Sequence, residues 1–522
     1  IMLKKVLLMC VTVLLVFPGL VVTAQDGEIS EEDYQALMES LKDGCSPEEQ
    51  AWYEEQYKLY RSENPVTPLS RQDSFTVIDS SAVQSRSIIG NRILALVNQN
   101  LYSNQSAREK IDRYFQDVSA GHGCNVEVEI LSGGSAEQIK AIIKQYYTNG
   151  GLEGVVQIGS FQPAWFFDPD PTYGGNFTCD LFFMDLDGTW LDRDGNGSYD
   201  AHENGSGDRG PEIFYGRIDP ATMGEFGTEV ELLCAYMDKN HSYWMGQIPL
   251  KKSAFVQLEP DWQNSTNYVD RIYGSTNTEI IRGTGSRADY MSNRLTRDYS
   301  FLHLWCHSGY RAHSFENGGA LYYSTIVNIP PKPIGYAHDG CHCADWAAGG
   351  GRGFTVGAYV FNPGQTSLVA ISGTKTGQWI GLMGRLFFEQ LGMNECIGKA
   401  YRVWFSDYMA RATNMTTVIA WDYGYCIIGD PMITFVERTQ LATPVPTTAP
   451  TPAPTSVNGT RGDVNGNLTI DIVDALLVAQ YYVGLPVNID LAAADANCNG
   501  SVDIVDALLI AQYYVGLISQ FC

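Results

Sequence analysis

The chain has 522 residues, with 59 acidic and 34 basic side chains and a formal net charge of −25. That balance excludes a nucleic-acid partner, because no basic stripe is present to meet phosphates, and it suits calcium or basic peptides. The length allows a large core with one or two small domains beside it.

Residues 1–24 carry Lys4 and Lys5, an apolar run broken at Pro18, and small residues ending at Ala24. This is the pattern of a secretory signal peptide cut before Gln25; a membrane anchor is the alternative for the same run. No later segment is apolar for long enough to span a bilayer. The expectation is a secreted, extracellular protein with no membrane contact after cleavage. Of its twelve cysteines, Cys10 falls in the leader, leaving eleven. In an oxidising compartment an odd number leaves at least one thiol unpaired or joined to another chain.

Residues 25–85 are polar and acidic, with a helical stretch "EEQAWYEEQYKLYRSE", and read as a propeptide or an N-terminal extension. Arg61 within it is a candidate processing point. The main domain, 86–440, alternates strands and helices. "RILALVNQNLY", "NVEVEIL" and "GVVQIGSF" read as strands, and "SAREKIDRYFQDV" and "SAEQIKAIIKQYY" as amphipathic helices, the second behind a Ser cap. "YSFLHLWCH", "KPIGYAHDGC" and "SLVAISG" continue the strands. Such alternation predicts an α/β fold with a mostly parallel sheet flanked by helices, whose ligands bind beyond the carboxyl ends of the strands.

Inside this domain, "DRDGNGSYDAHE" puts Asp192, Asp194, Asn196, Asp200 and Glu203 at positions 1, 3, 5, 9 and 12 of a calcium loop, with Gly197 at the turn and the Ser198 carbonyl at position 7. A solvated acidic loop is the alternative. Residues 441–460 are a Pro/Thr linker. A repeat follows in 461–522: "GDVNGNLTIDIVDALLVAQYYVGL" returns as "ADANCNGSVDIVDALLIAQYYVGL". Asp463, Asn465, Asn467, Asp471 and Asp474 fall at loop positions 1, 3, 5, 9 and 12, with the Thr469 carbonyl at 7. Asp495, Asn497, Asn499, Asp503 and Asp506 repeat this, with Ser501 at 7. Each loop thus offers the oxygen set that Ca²⁺ takes, and each precedes one helix. This segment resembles a type I dockerin. The resemblance implies a small all-α module holding two Ca²⁺ ions and docking onto a cohesin domain of a scaffold protein, as in a cellulosome. It also implies that Ile472, Val473, Ile504 and Val505 choose that cohesin. Cys498 and Cys522 are candidates for a disulfide that closes the module.

The stretch "GYAHDGCHCADWA" sets Cys341 and Cys343 one residue apart beyond a buried strand. A metal site would need a second ligand pair, and none is present. A disulfide between the two would be a strained small ring, although either could pair elsewhere. Upstream, "SFLHLWCHSGY" is an apolar strand ending at Cys306–His307. Adjacent parallel strands would bring an imidazole and a thiol together at their carboxyl ends, the pairing that activates a cysteine nucleophile, with turn N–H groups for the oxyanion.

These elements, with "EIFYGRIDPAT", "SGTKTGQW" and "YCIIGDPMITF", resemble the gingipain-like cysteine peptidases of the caspase-like clan over roughly residues 88–438. The resemblance implies an endopeptidase with Cys341 as nucleophile, favoured over Cys343 by Ala344 and Trp346 after it, and His307 as acid/base. Ser308 stands where the family has Gly; if that Gly donates the oxyanion N–H, either its role passes to Ser308 or Gly309 or efficiency suffers. His303, His338 and His342 are rival bases. The resemblance also implies a pocket for an Arg or Lys side chain at P1, walled by Trp379. Asp180 is assigned either to that pocket or to orienting His307, with Asp185 and Asp187 next. Two other readings remain: a catalytically inactive binding protein of peptidase fold, and a carbohydrate-active enzyme, since dockerins often carry those.

Overall fold

A computed structural model describes residues 47–72, 74–78, 92–170, 174–376, 384–412, 415–437, 461–466, 469–482, 487, 489–518 and 520–521. The leader expected at 1–24, the linker, Trp379, Asn467 and Cys522 lie outside the described residues. Two compact units divide near Thr443–Pro444.

The first unit is built on a twelve-stranded sheet. In chain order its strands are β1 (Ser70–Arg71), β2 (Phe75–Val77), β3 (Arg92–Asn98), β4 (Asn125–Ser132), β5 (Leu152–Ile158), β6 (Phe214–Ile218), β7 (Ala254–Leu258), β8 (Thr278–Arg282), β9 (Phe301–Trp305), β10 (Gly335–Asp339), β11 (Val369–Gly373) and β12 (Tyr425–Gly429). They lie in the order β1-β4-β3-β5-β6-β12-β11-β10-β9-β7-β8, with β2 also on β4. β9, β10 and β11 are buried throughout, as strands covered on both faces must be.

The expected strand–helix alternation is present. The stretch after Arg92 stops being a strand at Asn98, because the Asn98 side chain accepts a hydrogen bond from the Asn100 N–H and so caps a short helix. Ser135 caps the helix Ala136–Thr148 in a reciprocal box with Gln138. One departure concerns direction. β12 pairs antiparallel with β11 and parallel with β6, so, apart from the short strands β1 and β2 that lie antiparallel on β4, the sheet is two parallel halves of opposite polarity. Helix α1 (Pro47–Glu63) precedes the sheet; its first turn holds Glu48 and Glu49 and its last turn Arg61, which complement the helix dipole. Among the described residues no helix is long and apolar enough to cross a membrane.

The second unit packs two equivalent helices, α2 (Ile472–Tyr482) and α3 (Ile504–Tyr514), around Val464, Ala475, Val478, Ala507 and Ile510.

Candidate active site and calcium loops

β9 and β10 are neighbours, paired from Phe301–Gly335 to Trp305–Asp339, and the Cys306 N–H extends the ladder to the Asp339 carbonyl at 3.2 Å. His307 and Cys341 each stand two residues past the last pair. The segments that carry them therefore leave side by side from the carboxyl ends of neighbouring parallel strands, His307 into a hairpin and Cys341 into a turn. Gly340 is required between them, since a Cβ there would meet the Cys306 carbonyl at 2.7 Å and the Ser308 hydroxyl at 2.5 Å.

The turn after Cys341 is held by backbone bonds to the segment following β11: His342 N–H to Lys375 O at 3.1 Å, and Ala344 N–H to Gly373 O at 3.0 Å. His342 takes a left-handed φ of 52°, a conformation costly for a side chain with a Cβ and one that clusters at functional turns. Both its ring nitrogens are occupied, Nδ1 by Asp345 and Nε2 by Thr376, each at 2.9 Å.

The remaining histidines separate in the same way. His303 is buried against Asp339 at 3.0 Å. His338 is fully buried mid-strand, and burial holds its imidazole neutral. His307 is partly exposed, and its Nε2 meets Asp261 Oδ2 at 2.8 Å, with the Trp262 ring 4.7 Å away. This arrangement favours His307 over the other three as the base. Cys341 is half-buried and not disulfide-bonded. Cys343 is fully buried, and burial pushes its thiol up to about 12; Cys306 is raised further by the same cause. A thiol that resists ionisation is a poor nucleophile, which favours Cys341.

Ser308 points inward: its hydroxyl contacts His313 Nδ1 at 2.8 Å and donates to the Cys306 carbonyl at 3.2 Å. Gly309 N–H donates to Ala312 O at 2.9 Å. Bonded and non-bonded pairs alternate in an antiparallel ladder, so the Ser308 N–H faces away from the partner strand of this hairpin.

Asp180 requires a correction. Among the described residues the carboxylate bonded to His307 is another one, and Asp180 meets Arg217. It is buried against Arg217, with Nε–Oδ2 at 2.7 Å, while Arg217 Nη1 reaches Gln157 and the guanidinium lies 4.7 Å from the Trp346 ring centre. The carboxylate on His307 is Asp261, which the sequence reading missed. Its signal was the position of "EPDW" just past β7, a parallel strand beside β9, where the carboxyl-end rule places functional groups. Asp185 accepts from the Gly188 N–H, the Trp190 indole and His202, and Asp187 from the Asp208 N–H, so both brace the acidic excursion.

Asp422 is a buried acid pushed up to about 8, chiefly by desolvation. A raised carboxyl pKa means the folded state holds its proton where the unfolded chain has lost it. Stability from this group is therefore present below about pH 4 and lost as pH rises towards 8. Asp422→Asn is expected to gain urea resistance over wild type at pH 8 and not at pH 4; equal midpoints at both pH values would contradict this.

The acidic loops carry matching internal hydrogen bonds. Asp192 accepts from the Asn196 and Gly197 N–H groups at positions 5 and 6 of its loop, and Asp495 accepts from Asn499 and Gly500 in the same places. Asn196 and Asn499 each accept from the N–H at position 7, of Ser198 and Ser501. Asp474 and Asp506, both fully buried, take N–H donors from positions 3 and 9 of their loops. The oxygen set and loop geometry fit Ca²⁺. In the first loop Asp200 accepts from the Arg193 N–H, and Glu203 turns to the Arg193 guanidinium at 3.1 Å instead of inward. Asp463, Asn465, Thr469, Asp471, Asn497 and Asp503 complete the two C-terminal loops. Cys498 is disulfide-bonded. Ile472, Val473, Ile504 and Val505 are about half exposed, and Leu476 and Leu508 add two apolar side chains to the same helices.

Residues 461–514 match the family model described as the dockerin type I domain. No curated protein matches the chain. Among solved structures, the chain is similar to the Arg-specific cysteine proteinase gingipain R at 14% identity, covering 68% of this chain and 79% of that one with a TM-score of 0.48. A complex of gingipain pro- and mature domains from Porphyromonas gingivalis matches at 14% identity over 66% and 80%, with the same TM-score. A dockerin solved with a cohesin from Acetivibrio cellulolyticus is 35% identical, covering 12% of this chain and 93% of that one, with a TM-score of 0.12. The chain thus ends in a type I dockerin segment.

Proposed function

We propose that residues 86–440 are a secreted cysteine endopeptidase that the dockerin segment attaches to a cohesin-bearing scaffold. The observation that carries the reading is that Cys341 and His307 follow the carboxyl ends of adjacent parallel strands, each two residues past the last pair, with Asp261 on the imidazole.

In this reading His307 takes the Cys341 proton and Sγ attacks the carbonyl carbon of the scissile bond. The C–N bond breaks as His307 returns the proton to the amine. Water, with His307 as base, then hydrolyses the thioester. Asp261 holds the ring in place, and the outward Ser308 N–H is a candidate donor to the oxyanion.

A basic P1 side chain is proposed from the family resemblance and not from Asp180. A cavity of about 500 Å³ is lined by Asp168 and Asp170 and by Asp194 and Asn196 of the acidic loop, with Asp168 already paired to Lys375 at 3.2 Å. Ca²⁺ in loop 192–203, held by Asp192, Asp194, Asn196, Asp200 and the Ser198 carbonyl, would staple the excursion beside it; two more ions would order the dockerin loops.

The test is hydrolysis of fluorogenic peptides differing only at P1 (Arg, Lys, Asn, Asp, Leu), with calcium, by wild type and Cys341→Ala. Turnover of Arg or Lys substrates, lost in the variant, is the expected result. Turnover that survives in Cys341→Ala would overturn the peptidase assignment. A second expectation concerns docking: a metal chelator should abolish capture by an immobilised type I cohesin, and restored calcium should recover it. Capture indifferent to chelation would refute the calcium assignment in the dockerin.

A further inference from the structure

β10 runs between β9 and β11, so the turn that carries Cys341 has a strand end on either side. On one side stands His307, two residues past β9; on the other stands Lys375, two residues past β11. The Lys375 carbonyl accepts from the His342 N–H at 3.1 Å, so the residue after the nucleophile is bonded directly to this lysine. Lys375 Nζ curls back to donate to the Thr376 carbonyl at 2.9 Å, and the Thr376 hydroxyl meets His342 Nε2 at 2.9 Å.

The ammonium is buried with a single carboxylate as its ion-pair partner: Lys375 is 2% exposed, and Asp168, 3.2 Å away, is 1% exposed. Asp168 ends the strand Trp165–Asp168, and the Phe177 ring on the other strand of that hairpin lies 5.6 Å from Nζ. Replacing such a pair by apolar side chains is commonly neutral or stabilising, so stability is a weak reason for its presence here. Burial draws the Lys375 pKa down, while Asp168 first, then Cys341 and Asp170, oppose that. The effect is mutual: an anion that helps the lysine hold its proton loses its own more easily. The other groups facing this space compete little. Burial lowers the His342 imidazole and so favours its neutral form, and Asp422, at the end of the helix Met415–Asp422, is pushed up to about 8 and is protonated near neutrality. From α1, Tyr53 and Glu54 line a small cavity with Lys375, and Glu54 is taken up by the Asn176 amides at 2.9 Å.

We infer that Lys375 is a positioning residue for the nucleophile: its buried ammonium, fixed by Asp168, stabilises the Cys341 thiolate from the β11 side as His307 does from the β9 side. The inference rests on the peptidase reading of the same site and adds a residue to it. A thiolate beside a lysine ammonium forms at lower pH than a free one. The proton still goes to His307; Lys375 changes only how readily it leaves.

The test follows alkylation of Cys341 by iodoacetamide across pH, read by peptide mass spectrometry, in the full chain and in Lys375→Met and Lys375→Met/Asp168→Asn. The double variant leaves no orphan carboxylate, and it stands in if the single one fails a circular-dichroism check of folding. Hydrolysis of a P1-Arg substrate is measured over the same range. The expected result is an alkylation midpoint at least about one pH unit higher in both variants, with the acid limb of the hydrolysis profile moving the same way. A turn merely loosened by the substitution would change the plateau rate at high pH and leave the midpoint in place. A midpoint equal to wild type in folded variants would therefore overturn the inference, whatever the hydrolysis. A raised midpoint with no hydrolysis by any form would keep the role of Lys375 and remove the peptidase.

Discussion

Cys341→Ala should reduce peptide hydrolysis to the uncatalysed level, and His307→Ala should cost on the order of 10²–10⁴-fold in kcat/KM. The two losses should not add in the double variant, because each removes the same proton-coupled attack. Cys343→Ala should keep activity: this thiol is buried and pushed up to about 12, so it supplies packing and not chemistry. Asp261→Asn is expected to fall between, since its carboxylate is half exposed and its pull on the imidazole is screened. The measurement is steady-state hydrolysis of one P1-Arg substrate by each variant beside wild type. Activity lost in Cys343→Ala and kept in Cys341→Ala would reassign the nucleophile.

The largest expected stability change is at Asp180. Its bidentate pair with Arg217 is buried, and removing one partner leaves the other charge uncompensated, at a cost of about 3–5 kcal/mol. Asp180→Ala should therefore lower the thermal midpoint by on the order of 10 °C. Asp180→Asn should go the same way, because the neutral amide keeps the volume and not the charge. Arg217 also lies against Trp346, five residues after Cys341, so the substitution should loosen the nucleophile's turn and slow hydrolysis of every substrate alike. If Asp180 instead selected a basic P1 side chain, Asp180→Asn would leave the midpoint in place and change only the ratio of Arg to Leu cleavage. Calorimetry and the P1 series on one preparation separate the two.

These two cases mark how far the sequence could be read. The two strands that carry His307 and Cys341 past their ends were legible because a strand is a local pattern and its carboxyl end is a position in the chain. Two apolar runs, each ending in a reactive side chain, needed only the parallel neighbour relation to be brought side by side. The turns of the acidic loops were legible for a similar reason: their candidate ligands all lie within one twelve-residue stretch, so spacing alone carries the geometry, and the hydrogen bonds of Asp192 and Asp495 follow it. Asp180 was not legible in this way. Its partner Arg217 lies on another strand, and nothing in "TCDLFFMDLDG" tells a pocket carboxylate from one neutralised in the core.

By itself, the sequence determined the alternation that builds the sheet, the repeat that builds the C-terminal module, the calcium-loop spacings and the identity of the nucleophile and base candidates. Each of these is encoded within a span short enough for local sterics and side-chain periodicity to decide. Tertiary structure alone decided that Asp261 and not Asp180 meets His307, that β12 reverses the sheet, that Cys343 is buried while Cys341 is half-buried, and that Tyr53 stacks on His342. All four depend on which distant segments pack together. Burial, charge pairing and access are properties of that packing, and no local pattern specifies them.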